Sequence, residues 1–173
     1  MAVTDERRQE LRRKFLKLGS GELVAAAIFT VVAFRSQLAP LRDAGSQAAL
    51  WSALAPLLVI LVQAGVYWLL ARTWVGRRPM PVGLAGLYRS FRVVDPILLL
   101  AGLVGVITWM PDQPLATAVV LAVWLLALIE YVNYFVVRLA YPPSQWLAKI
   151  GQWRTPRLVL DMTHRSSVQG DLF

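Results

Sequence analysis

The chain has 173 residues, one domain's worth, with 57% hydrophobic residues, no cysteine, one histidine and a formal net charge of +8. Without cysteine there are no disulfides, thiolate metal sites or cysteine nucleophiles, and a lone His164 in a polar tail excludes a histidine-based metal cluster. The charges flank apolar runs instead of forming one stripe, which points away from nucleic acid and toward anionic lipid headgroups.

Sixteen of the eighteen Lys and Arg residues fall in three stretches, Met1–Glu22, Ala71–Asp95 and Arg138–Phe173. Long apolar runs separate them. Basic residues accumulate on the cytoplasmic side of a bilayer, so the alternation predicts four crossings with both termini in the cytoplasm. The expected fold is all-α, a four-transmembrane-helix bundle with basic interfacial helices on its cytoplasmic side.

Residues 1–20 read as a basic amphipathic cytoplasmic segment. Leu11, Phe15 and Leu18 give it a narrow apolar face, suited to a helix on the membrane surface or to a free arm that only sets topology. Gly19-Ser20-Gly21 is expected to break it. The first span is placed at about 21–38, although its clean apolar run is only Leu23–Phe34. A basic start before a short apolar run also suits a secretory signal, but Phe34-Arg35-Ser36-Gln37 offers no small-x-small cleavage site, which favours a retained span. After an external loop, the second span covers about 48–71, with Gln63 as its strongly polar residue and Trp51, Trp68 and Trp74 at its ends. Gln63 is expected to make an interhelical hydrogen bond.

Pro79, Pro81, Gly83 and Gly86 are expected to interrupt the internal segment that follows. The third span is placed at about 93–110, broken near its inner end by Asp95-Pro96, and the fourth at about 115–137, apolar until Glu130. Pro142-Pro143 ends the last helix. Residues 142–162 read as an interfacial amphipathic segment with Trp146 and Trp153 as membrane anchors, and 163–173 as a disordered tail. Small pairs at four-residue spacing, Ala101 with Gly105 and Ala118 with Ala122, are the expected packing points.

The predicted orientation brings Glu22, Asp95, Glu130, Asn133 and Tyr134 to comparable depth as a polar inner-leaflet cluster. Arg72, Arg89, Arg92 and Arg138 ring the same boundary as an anion or headgroup rim. Two roles fit: the arginines hold an anionic headgroup while Glu130 exchanges a proton, or the acids simply pair with arginines at helix ends. No catalytic residue, metal site or cofactor motif is found: no phosphate-cradling glycine loop, no hydrolase triad, no transporter-type repeat.

The run Glu130-Tyr131-Val132-Asn133-Tyr134-Phe135, then Arg138-Leu139-Ala140-Tyr141 and Arg157-Leu158-Val159-Leu160-Asp161, resembles small, generally uncharacterised bacterial four-span membrane proteins. The resemblance implies the same architecture and an inner-membrane address, and no activity. The expected function is a non-enzymatic membrane component that binds anionic lipid or a partner membrane protein through its cytoplasmic face. The partners would be membrane lipids, a partner membrane protein or further copies of the chain. Alternatives are a small oligomeric proton- or ion-coupled carrier or channel using Glu130, and an intramembrane enzyme acting on a lipid headgroup.

Overall fold

The computed structural model describes residues 5–35, 41, 43–75, 79–137 and 155–163. Four long helices fill most of that range: α1 (Asp5–Arg35), α2 (Ala44–Trp74), α3 (Val82–Thr108) and α4 (Pro114–Phe135). A short helix, α5 (Arg157–Thr163), follows. Each long helix has the length and hydropathy to cross a membrane. Large apolar side chains on their outward faces, such as Ile28 at 56%, Val104 at 63% and Ile129 at 51% exposure, would form an untenable surface in water but suit lipid. The chain is an integral membrane protein with four spans.

The bundle is organised around α2, which packs against α1, α3 and α4. Over half of its apolar window is buried (56%), against 17–28% for the other three helices. The main core runs from Phe15 through Leu54, Leu57, Ile60, Tyr67 and Trp74 to Tyr88, Leu99, Ala127 and Phe135. A second cluster around Ala49, Ala53, Val106, Ala116 and Val120 fills the opposite end.

Helix α1 passes through Gly19-Ser20-Gly21 unbroken. The Ser20 hydroxyl is satisfied within the helix by the Leu16 carbonyl, and Gly19 is where α1 meets α2. A Cβ on Gly19 would lie 2.8 Å from the Gly65 carbonyl oxygen, and one on Gly65 would lie 2.8 Å from Leu23 Cγ. The glycines serve close approach, as small residues do between membrane helices. Aromatic contacts mark both ends of this interface: Phe15 on Trp68 at 5.0 Å and Phe34 on Trp51 at 4.9 Å between ring centroids. Between Phe15 and Phe34 lie about 29 Å of helix, close to a hydrocarbon thickness. Glu22 lies between these two contacts along α1.

Both internal prolines sit in continuous helices. Pro96 lacks the N–H that would reach the Arg92 carbonyl, and the Tyr131 hydroxyl of α4 donates to that oxygen instead, at 3.1 Å. Pro56 likewise leaves the Ser52 carbonyl without its helical donor, and α3 approaches there through Gly102 and Gly105. The expected small-residue pairs are thus corrected. Gly102 and Gly105 are buried while Ala101 is exposed, and α4 turns Ala116, Val120 and Ala127 inward while Ala118 and Ala122 face out. Gly83 and Gly86 lie within α3, which starts directly after Pro81.

Asp43 caps α2, its Oδ1 accepting from the Ser46 N–H at 2.8 Å. Hydrogen bonds from the Ser46 side chain and then from its backbone N–H hold the exposed Asp43 carboxyl below the usual carboxylate range. The cap's contribution is complete above the ordinary carboxylate value and is lost as pH falls through the depressed one. Asp43→Ala is expected to lower the thermal midpoint at neutral pH, with the difference from wild type shrinking in acid; a gap independent of pH would exclude the capping charge as its cause.

Candidate functional site

Contacts across the bundle set a common level for its polar residues. The Gly19–Gly65 and Phe34–Trp51 contacts align Glu22 with Gln63, and Gln63 bonds to Asp95. The Trp124–Leu99 and Tyr131–Arg92 bonds bring Glu130 within about a turn of the same level. Glu22, Asp95 and Glu130 share a depth, but not a side of α2.

On the side facing α1 and α4, the Tyr134 hydroxyl donates to Glu22 Oε1. Glu130 lies close enough to Glu22 for the two carboxyls to interact, and Asn133, one turn on, is a hydrogen-bonding neighbour of Glu130. Tyr134 is 7% exposed. Trp68 stands beside Tyr134 as a hydrogen-bonding neighbour. This cluster unites four of the five residues singled out in the sequence.

Asp95 sits on the α3 side, fully buried, and its partner is Gln63: Nε2 donates to Oδ1 at 3.0 Å. Gln63 thus makes an interhelical bond of the expected kind, worth about 0.6–2 kcal/mol. The Tyr88 hydroxyl donates to the Gln63 carbonyl at 2.8 Å, which tightens the same α2–α3 contact. Among the described residues no arginine pairs with these carboxylates: the ion pairs there are Arg8–Asp5 at 2.9 Å and Arg157–Asp161 at 3.4 Å.

Of the predicted arginine rim, Arg72 is half-buried with its Nε lacking an acceptor. Arg89 donates to the Met162 carbonyl at 3.2 Å, and Arg92 is exposed. Arg138, Trp146 and Trp153 lie outside the described residues.

The segment Arg157–Met162, read from the sequence as docking against the bundle or the membrane, docks against the bundle as part of α5. This helix seats Leu158 and Met162 in the main core at the end of the bundle that carries Arg72 and Arg89, the basic end. The Tyr67 hydroxyl donates to Asp161 Oδ2 at 2.7 Å, and the Arg157 guanidinium lies 5.7 Å from the Phe15 ring centroid. A mid-sequence tyrosine and a C-terminal acid, 94 positions apart, carry no local pattern that would pair them. Trp124 donates its indole N–H to the Leu99 carbonyl at 3.0 Å. Comparison with protein-family models, with curated proteins and with solved structures finds no match to this chain; its likeness to small four-span proteins comes down to four long apolar helices.

Proposed function

We propose that the protein is a non-enzymatic component of the cell membrane that binds anionic lipid through a cytoplasmic face formed by the basic end of the bundle. The observation that carries this reading is the surplus of cations there. Arg12, Arg13, Lys14, Lys17, Arg72, Arg89 and Arg92 have no acidic partner among the described residues. Lys14 and Lys17 flank Phe15, where α1 enters the aromatic layer, so their long stems can lie along the apolar surface with the ammonium groups at headgroup level. Arg138, Trp146 and Trp153 would extend the same face, and a partner membrane protein with an acidic juxtamembrane surface would meet the same cations.

The test is thermal unfolding in detergent with lipid added back. A lipid that binds the folded state raises the midpoint by mass action. Phosphatidylglycerol is expected to raise it more than phosphatidylcholine, the difference falling as salt rises and shrinking in Arg72→Ala/Arg92→Ala. Equal shifts with both lipids at low salt would overturn the reading.

The proximity of Glu130 to Glu22, which accepts from Tyr134, favours a second reading: a proton-coupled carrier in which these carboxyls exchange a proton. A carrier built on so few spans would act as an oligomer.

A further inference from the structure

The Gln63–Asp95 contact is half of a hydrogen-bonded pair. Gln63 Nε2 donates to Asp95 Oδ1 at 3.0 Å, which leaves Gln63 Oε1 and Asp95 Oδ2, both buried and both without a partner. With Asp95 ionised, both atoms are pure acceptors in an apolar interface, and among the described residues no cation forms an ion pair with the carboxylate. Buried acceptors rarely stay unpaired.

We propose that Asp95 and Gln63 form an intramembrane proton-binding site, in which a single proton on Asp95 Oδ2 is donated to Gln63 Oε1. A carboxylic acid and a primary amide each present one donor and one acceptor side by side. One proton therefore converts two unsatisfied atoms into a second bond parallel to the first. The ligand is a hydrogen ion, and the site is separate from the basic face proposed above to bind lipid.

Among the described residues no neighbouring group supplies the missing donor. From α3 itself, Arg92 lies one turn away and forms no ion pair with Asp95. From α4, the Tyr131 hydroxyl is committed to the Arg92 carbonyl. The Tyr88 hydroxyl, also on α3, is committed to the Gln63 backbone. Glu22 and Glu130 interact with each other on the far side of α2. The proton closes the α2–α3 contact and lets α3 cross the bilayer without an unbalanced charge at this level.

Infrared spectroscopy of the full chain in vesicles at neutral pH tests the site. The wild-type-minus-Asp95→Asn difference spectrum is expected to contain the carbonyl stretch of a protonated carboxylic acid, shifted down in D2O, and Glu130→Gln is expected to keep that band. A difference spectrum with only carboxylate bands would overturn the proposal. Should Asp95→Asn not fold, Gln63→Met gives an independent reading. Loss of the amide acceptor is expected to move the same carbonyl band to higher frequency without loss of intensity, and an unmoved band would count against the pair.

Discussion

Gly102→Leu will separate α3 from α2, with a stability loss on the order of 3 kcal/mol, the top of the usual range for side chains forced into a packed interface. The obstacle is backbone. A Cβ on Gly102 would lie 2.6 Å from the Ser52 carbonyl oxygen and 2.9 Å from Pro56 Cγ. Neither can swing aside, because both belong to the central helix, and the Ser52 carbonyl is the one that Pro56 deprives of its helical donor. The glycine Cα–H lies against that oxygen, a weak contact worth about 0.5–1 kcal/mol that leucine also removes. Gly105 is as crowded, since a Cβ there would meet Ser52 Oγ and lie 2.6 Å from Ser52 Cβ, an atom fixed to the same backbone. The control is Gly86→Ala in the same helix, where nothing lies within 4 Å of the added carbon. That change should stabilise by about 0.5–1 kcal/mol by reducing backbone entropy in the unfolded chain. Reversible unfolding in mixed micelles checks both, and a Gly102→Leu variant as stable as wild type would show that the helices do not meet as described.

The same crossing shows what a sequence can and cannot disclose. Span number and approximate limits follow from apolar length, a property each segment carries alone. Helix continuity does not: Gly19-Ser20-Gly21 and Asp95-Pro96 look like interruptions because propensity penalises them. In the fold, Gly19 serves close approach, and the carbonyl freed by Pro96 finds Tyr131. Depth was also legible, since rise per residue and charge placement bring Glu22, Asp95 and Glu130 to one level. Azimuth was not. Which way a side chain points depends on the partner helix, so the sequence pools three acids that α2 in fact divides, and picks Ala101, Ala118 and Ala122 as contacts although they face outward. The Tyr67–Asp161 bond belongs to the same class, being long-range and without periodicity.

Tyr134→Phe is expected to cost about 1–3 kcal/mol, because it strips Glu22 of its hydrogen-bond donor while leaving the carboxyl where α1 meets α4. The phenyl ring keeps the packing of a residue that is 7% exposed, so the loss isolates the hydroxyl. Glu22→Gln should be tolerated better, since its side-chain carbonyl still accepts from Tyr134 and no longer faces the Glu130 carboxyl. The double variant Glu22→Leu/Tyr134→Phe decides the matter. If the two residues act as a pair, removing both replaces a polar contact with an apolar one and recovers most of the stability lost in Tyr134→Phe. Additive losses would mean that each residue is held by something else. Because the double variant is expected to fold, it also separates the two functional readings. A carrier that exchanges a proton at Glu22 loses pH-coupled flux in vesicles. A lipid-binding component has no flux to lose and keeps its salt-sensitive stabilisation by phosphatidylglycerol, since the cations of the basic end are untouched.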